Sequence, residues 1–158
     1  MQVLIKNNNI NSVWAGPISG DGSLAIGAAW SIHKKMSNTN IEGLKTIYLG
    51  SKMSKNDIDI ELKKLSDRYH IIENYTNKDV ANWLSEGYII ARCEGRMEFG
   101  QRALGNRSIL ADPRRNDTVE RINKKIKYRD FWMPFTPTIC FDDCNKYLIN
   151  KKNIDSPY

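Results

Sequence analysis

Arginine is concentrated in one stretch of this chain, residues 96–129, which we call the arginine segment. Seven of the nine arginines lie there, whereas lysine predominates elsewhere. Arginine presents a planar, permanently charged fork that binds carboxylate or phosphate through two parallel hydrogen bonds. The segment carries ten basic and four acidic residues, a balance of +6 that equals the formal charge of the whole 158-residue chain. The sequence therefore predicts a local binding site for an anion.

Glycines at positions 95, 100 and 105 recur every five residues in and beside this segment. Glycine allows positive φ and close approach of the backbone to a ligand, and backbone N–H groups in such turns form concave anion sites. We therefore expect a phosphate to bind there. The side chains predicted to contact it are Arg102, Arg107, Ser108, Arg114, Lys125, Lys127 and Arg129.

Composition leaves two other interpretations of the arginine segment open. In the first, the arginines are structural and pair with Glu94, Glu98 and Asp112. In the second, the segment binds RNA or another nucleic acid, because basic domains are attracted to the phosphate backbone. Only Phe99 and Tyr128 are aromatic within the segment, which is a poor surface for stacking single-stranded bases.

The elements that must position these residues alternate between helices and strands, which predicts the α/β class. Helices are expected at 24–30, 54–65 and 77–87, and from residue 117 onward with Ile122 and Ile126 facing inward. Strands are expected at 69–72, 88–93 and 138–141, and a short strand or an arm at 47–50. Capping is predicted at Ser54 with Asp57, at Asn77, and at Asp117 with Glu120.

Composition also indicates the class of protein and its location in the cell. The apolar and charged fractions, 41% and 27%, are typical of a soluble globular protein. No apolar stretch approaches the length of a membrane span, and no secretion signal is recognisable at the N-terminus. The three sparse cysteines are expected to be reduced thiols. These features together predict a cytoplasmic location.

The order of residues in the arginine segment closely resembles the signature of the O-carbamoyltransferases of antibiotic and nodulation-factor biosynthesis, the NodU type. The resemblance covers nearly the whole chain. It rests on GRMEFG at 95–100, RALGNRSILADPR at 102–114, Asn123, Lys127, Arg129, FTP at 135–137, and, upstream, GP at 16–17 and GDGSLAIGAA at 20–29.

This resemblance implies a protein of two domains. The first, of the actin/sugar-kinase type and similar to TsaD proteins, would hold iron and transfer the carbamoyl group. The second, a YrdC-like twisted mixed sheet with helices, would form carbamoyl adenylate from carbamoyl phosphate and ATP. Residues 1–35 then correspond to the end of the first domain, 36–46 to a linker, and 47–158 to the first part of the second. The chain is accordingly expected to be a fragment of a larger enzyme that carbamoylates a hydroxyl group.

The resemblance also implies roles for individual residues. It assigns catalysis to Arg102, Arg107 and Ser108, and a metal-ligand role to Asp21, effective only together with the missing domain. The residues implied to hold the phosphates of carbamoyl phosphate and ATP are Arg96, Arg102, Arg107, Ser108, Arg114, Lys127 and Arg129. The expected partners are small-molecule substrates and the missing N-terminal domain, in cis or in trans. Residues 1–35 carry apolar groups that need a covering surface, so this segment is expected to fray, to dock non-natively on the second domain or to drive self-association.

Two departures from the family pattern bear on activity. Gln101 stands where the family usually has proline, and Trp132-Met133-Pro134 stands where an Arg-Pro pair is usual. The second departure would remove one phosphate-binding arginine, at a cost of about 1.5–3 kcal/mol. The alternative interpretation at this stage is an RNA-binding module of the YrdC-like fold without catalysis.

Overall fold

The computed structural model describes residues 6–13, 16–65 and 69–149. Within these ranges the chain forms five α-helices and a two-stranded antiparallel sheet, so the α/β class is confirmed. The helices are α1 (Leu24–Ser37), α2 (Lys55–Lys63), α3 (Asn77–Ser85), α4 (Thr118–Ile122) and α5 (Cys144–Tyr147). The strands are β1 (Ile90–Cys93) and β2 (Arg107–Leu110).

The described residues divide into two units. The first lies within residues 1–49, 98–104 and 139–158, and the second within 50–97 and 105–138. Both the larger YrdC-like sheet and the preceding actin-like piece stay predictions, as do the domain boundaries expected from the resemblance. The ends of those expected domains, residues 1–5 and 150–158, lie outside the described residues.

The sheet of the second unit is formed by β1 and β2. In their antiparallel register, Ile90 lies opposite Leu110 and Cys93 lies opposite Arg107. The strand predicted at 88–93 is therefore confirmed over its last four residues. This pairing places the start of β2, with Arg107 and Ser108, directly beside the end of β1.

Three of the predicted strands are wrong. Residues 47–50, 69–72 and 138–141 have no strand structure. Ile47 O accepts backbone hydrogen bonds from Phe99 N–H at 2.6 Å and from Leu49 N–H at 2.9 Å, and residues 141–143 form a 3₁₀ helix that leads into α5. A short apolar run becomes a strand only when a neighbouring strand supplies a continuous ladder of hydrogen bonds. Among the described residues, the run at 47–50 makes only separate bonds, Phe99 N–H to Ile47 O and Gly50 N–H to Met97 O, which do not form a ladder.

The predicted cap of α2 is confirmed, whereas the cap of α3 lies one residue earlier than predicted. Ser54 Oγ accepts from the Asp57 N–H at 3.1 Å, and the Asp57 carboxylate accepts from the Ser54 N–H at 3.0 Å. At α3 the capping residue is Thr76, paired with Asp79, and not Asn77, because only Thr76 is three residues before an acid. In both caps the pKa of the aspartate lies below its ordinary value. The main cause is the hydrogen bond from the hydroxyl group of the capping residue, and the second is the bond from its backbone N–H.

The beginning of α4 differs from the prediction. Asp117 makes no capping hydrogen bond, and its carboxylate instead lies 3.4 Å from Arg115 Nε and 3.5 Å from Arg121 Nη1. The helix continues as a π-helical turn, Asn123–Lys127. Ile122 is buried at 4% exposure, but Ile126 is 41% exposed and does not face inward as expected. The wider π turn explains this, since residues four apart no longer lie on one face.

Helix α1 of the first unit is longer than predicted and extends into the expected linker. It ends where Asn38 adopts φ 51°, a left-handed conformation that asparagine tolerates. None of its residues is buried, and Leu24 is 68% exposed. None of the helices in the described ranges has the length and apolar content that a bilayer crossing requires.

Candidate functional site

The residues implied to bind substrate are distributed over both units. Asp21 and Arg102 lie in the first unit. The second unit contains the remaining candidates, which are Arg96, Arg107, Ser108, Arg114, Lys127 and Arg129. Their side-chain contacts separate them into residues that are already engaged by the protein and residues that are available to a ligand.

Arg107 is held by main-chain carbonyl groups. Its Nη1 donates to Glu94 O at 2.7 Å and to Asn106 O at 3.0 Å, and its Nη2 donates to Gly95 O at 3.3 Å. A guanidinium bonded to three carbonyls around one turn stabilises that turn. The catalytic role implied for Arg107 stays a prediction, and its contacts are those of a framework residue.

Arg96 and Ser108 also bond to the backbone. Arg96 Nε donates to Gly50 O at 2.9 Å, beside an isolated bridge between Lys52 and Arg96. Ser108 Oγ accepts from the Gly105 N–H at 2.8 Å. Gly105 has φ 112°, a conformation that favours glycine. The glycine periodicity thus corresponds here to a turn whose amide is bound by the protein's own hydroxyl group.

Arg114 forms a close ion pair with Asp112. Its Nε lies 2.9 Å and 3.0 Å from the two carboxylate oxygens, and its Nη2 lies 2.6 Å from Oδ2. These hydrogen bonds, together with one from the Arg114 N–H, lower the pKa of Asp112 to about 2. The same interactions raise the pKa of Arg114. The structural interpretation of the arginine segment is therefore borne out at this pair.

Arg129 is held differently, by an amide and an aromatic ring. Its Nε donates to Asn123 Oδ1 at 2.7 Å, and its guanidinium carbon lies 4.4 Å from the centroid of the Phe135 ring. We call Asn123, Arg129 and Phe135 the Asn123 cluster. Asn123 is 1% exposed and Arg129 is half-buried. Neither Asn123 nor Phe135 carries a formal charge, so the positive charge of Arg129 is not compensated within the cluster.

The terminal nitrogen atoms of Arg129 are available. Among the residues that the structure describes, Nη1 and Nη2 make no hydrogen bond or ion pair. Lys127, two residues earlier and exposed, has no ion pair within the same ranges. A guanidinium fixed at Nε and across its face still offers two parallel N–H groups, the geometry that binds a phosphate or carboxylate from two directions.

In the first unit, Arg102 lies on a loop that is fixed by its neighbours. Leu104 N–H donates to Glu98 Oε1 at 3.0 Å, and Tyr48 Oη donates to Leu104 O at 3.0 Å. Gly100 has φ 136°, and a Cβ at that position would lie 3.1 Å from Pro17 O. The Arg102 side chain itself is exposed, and it has no hydrogen bond or ion pair with any described residue.

Asp21 lies in an exposed 3₁₀ turn, Asp21–Ser23. The described ranges contain no group of three or more His, Cys, Asp or Glu side chains arranged to hold a metal ion. A lone aspartate does not form an iron site, so the residues described here do not fit one by themselves. The metal-ligand role of Asp21 stays a prediction that depends on ligands from elsewhere.

Comparison with known proteins bears on the chemistry of these residues. Residues 81–158 match the family described as Carbamoyltransferase C-terminus. The nodulation protein NolNO of Sinorhizobium fredii is 33% identical over 92% of this chain and 22% of its own length. An uncharacterized protein of Synechocystis is 33% identical over 98% of this chain and 26% of its own length.

A third relative is named for its reaction. The 3'-hydroxymethylcephem-O-carbamoyltransferase of Amycolatopsis lactamdurans is 27% identical over 95% of this chain and 27% of its own length. The chain spans about a quarter of the length of the curated relatives it matches. These similarities confirm the resemblance carried by the arginine segment.

Proposed function

Since this chain belongs over residues 81–158 to the carbamoyltransferase C-terminus family, we propose that it is part of an O-carbamoyltransferase. In this proposal water releases phosphate from carbamoyl phosphate, and the resulting carbamate displaces pyrophosphate from ATP to give carbamoyl adenylate. The hydroxyl oxygen of a small molecule then attacks the carbamoyl carbon, and AMP and a proton leave. The relative from Amycolatopsis, named for a carbamoyl transfer to a hydroxymethyl compound, supports the class of reaction.

The observation that carries the proposal is the state of Arg129. Its guanidinium is held by Asn123 and Phe135, while its two Nη groups and its positive charge are left for a ligand. Both proposed substrates carry phosphate groups, whose oxygen atoms gain charge as the bond to phosphorus or to the carbamoyl carbon breaks. A cation already fixed in place stabilises such charge without reorganisation, which is the main electrostatic contribution to catalysis.

The other candidates have supporting roles in this proposal. Lys127, two residues before Arg129, adds a second cation in the second unit, and Arg102 stays a separate candidate within the first unit. Arg107 and Ser108 shape the turn between β1 and β2. Arg114 is a weaker candidate for phosphate binding, because Asp112 already occupies its Nε and Nη2.

Calorimetric titration of the full chain with carbamoyl phosphate and with ATP tests this function. We expect binding by the wild type and a ten- to hundredfold weaker affinity for Arg129→Ala, about 1.5–3 kcal/mol for a lost charge-assisted hydrogen bond. Arg92→Ala is the matched control, because Arg92 lies outside the arginine segment and pairs with Glu94. Failure of the wild type to bind either compound, or an equal loss in both variants, would contradict the proposal.

The wider setting of the reaction is also a proposal. We place the enzyme in the cytoplasm, with iron and the acceptor pocket supplied by an actin-like domain in cis or in trans. The chain alone is then inactive toward hydroxyl acceptors. Turnover should appear only when that domain is added together with iron, ATP and carbamoyl phosphate. Turnover by the chain alone would refute the assignment of iron and the acceptor pocket to the actin-like domain.

A second candidate function, binding of single-stranded RNA, is favoured by one observation. Tyr128 is 85%, Phe131 82% and Trp132 63% exposed, and they follow the lysines of the π-helical turn. Exposed rings beside cations are suited to base stacking. This function predicts a steep decrease of RNA affinity with salt and no competition by carbamoyl phosphate, the reverse of what the transferase predicts.

A further inference from the structure

We propose that Asn123 and Phe135 are positioning residues, which hold the Arg129 guanidinium in the orientation that receives an oxyanion. The inference rests on the proposed function of Arg129 as an oxyanion-binding residue. It adds that the affinity of the site depends on two side chains that need not touch the ligand themselves.

The Asn123 side chain is held at both ends. Its Nδ2 donates to Phe131 O at 3.3 Å and to Met133 O at 3.2 Å, while its Oδ1 accepts from Arg129 Nε at 2.7 Å. The amide cannot be reversed, because its NH₂ group would then face the guanidinium, and two donors would meet. A buried amide with both ends bonded has a single orientation, so it determines the position of Arg129 Nε.

The Asn123 backbone contacts the same residue. Its carbonyl oxygen accepts from the Arg129 N–H at 3.1 Å, and also from the Tyr128 N–H at the end of the π turn. Tyr128 has φ 48°, a conformation that residues other than glycine rarely adopt. One residue, Asn123, therefore binds both the main chain and the side chain of Arg129. Single π turns are often found at functional sites.

Phe135 supplies a constraint that Asn123 does not. The hydrogen bond at Nε places one edge of the guanidinium but allows the group to rotate about that bond. The Phe135 ring, 4.4 Å from the guanidinium carbon, fixes the plane through a cation–π contact. Neither contact uses Nη1 or Nη2, which make no hydrogen bond with any residue that the structure describes. Both supports are uncharged, so neither competes with an incoming anion.

The positioning itself is measured by NMR on the full chain labelled with ¹⁵N at arginine. We expect the Nε–H resonance of Arg129 to be shifted and protected from exchange, whereas that of Arg102, which has no partner among the described residues, exchanges freely. Asn123→Ser and Phe135→Leu should each bring the Arg129 signal toward that of Arg102. An unprotected Arg129 signal in the wild type would overturn the inference whether or not any ligand binds.

Binding measurements separate positioning from a merely structural role. With carbamoyl phosphate as the probe, Asn123→Ser and Phe135→Leu should each weaken affinity about five- to tenfold. Neither substitution should change the residual affinity in an Arg129→Ala background, because there is then no guanidinium to position. Phe135 is 36% exposed, so its variant keeps the test valid if Asn123→Ser fails to fold.

The outcomes are distinct for the two proposals. If the wild type binds carbamoyl phosphate but the substitutions weaken binding equally with and without Arg129, positioning is wrong and the proposed function stands. If Arg129 is protected but the wild type binds neither carbamoyl phosphate nor ATP, the proposed function fails, and the positioning role fails with it.

Discussion

Arg114 and Arg129 belong to one basic segment and yet are held in opposite ways. Arg114 is 76% exposed and gives its Nε and Nη2 to Asp112, whose side chain is only 7% exposed. Arg129 is half-buried and gives only its Nε to a neutral amide, while a neutral ring covers one face. The more exposed arginine is thus the one whose charge is compensated.

This difference separates two uses of the same residue type. A carboxylate partner neutralises the arginine and occupies the edge that would bind phosphate. An amide partner orients the group and preserves its charge. In a basic segment, the arginines available for a ligand are therefore recognised by the chemistry of their partners, and exposure alone is a poor guide.

The largest expected effect is a direct contrast between the two arginines in anion binding. Arg129→Ala should weaken binding of carbamoyl phosphate ten- to hundredfold, and Arg114→Ala by less than about threefold. The physical reason is that only Arg129 offers an unoccupied Nη edge. Calorimetry on both variants at one ionic strength measures this contrast. A larger loss for Arg114→Ala would reverse the assignment.

Exchanging the chemical type of the side chains that contact Arg129 and Arg114 should exchange the anion-binding behaviour of the two arginines. Asn123→Asp places a carboxylate against Arg129 and makes it resemble Arg114, so the affinity for carbamoyl phosphate should fall about tenfold. The reciprocal change, Asp112→Asn, frees Arg114 from its counter-charge and should leave affinity equal or slightly higher. Unchanged affinity in Asn123→Asp would show that charge compensation is not what distinguishes the two sites.

The Asp112 region should respond in stability and not in binding. Thr118 is buried, and its hydroxyl donates to Asp112 O at 2.9 Å. Thr118→Val should therefore lower the free energy of unfolding by about 1 kcal/mol without changing anion affinity. Urea denaturation measures the effect, and the exposed Thr136→Val serves as the control. A change in affinity would instead connect this region to the binding site.

The smallest effect at neutral pH is expected for Asp112→Asn, because solvent screens a pair whose arginine is largely exposed. The pKa of Asp112 is lowered from 3.8 to about 2, so the stabilisation by its charged form is complete above about pH 4 and is lost as pH falls through about 2. Stability curves of the wild type and Asp112→Asn should therefore converge on acidification. Asp59→Asn, which changes an exposed aspartate outside this ion pair, is the matched control.

Local signals in the sequence were the most reliable guides to the fold. The capping box at Ser54 and the left-handed Gly87 that ends α3 depend on residues within one turn, and both agree with prediction. The strand at 88–93 was found because its composition is strongly apolar and β-branched. The strand predicted at 47–50 failed because an apolar run does not show whether a partner strand lies beside it.

In the candidate site, too, some features could be predicted from the sequence and others could not. The excess of arginine over lysine located the basic segment, and the residue order identified the family to which residues 81–158 belong. Nothing in the sequence distinguished Arg114 from Arg129. Asn123 was noted only as a matching position in the family pattern, because a buried amide that bonds in three directions has no periodicity that a sequence displays.

The sequence by itself determined where charge accumulates, where helix α2 begins, and which family residues 81–158 match. Each of these depends on residue type or on contacts within a few positions. Only the tertiary structure decided which arginine has its charge compensated and which keeps its charge and its Nη groups for a ligand. This difference depends on side chains that folding brings together. Asn123, Arg129 and Phe135 meet through a π-helical turn and the loop after it, and their geometry leaves one guanidinium edge available for an anion.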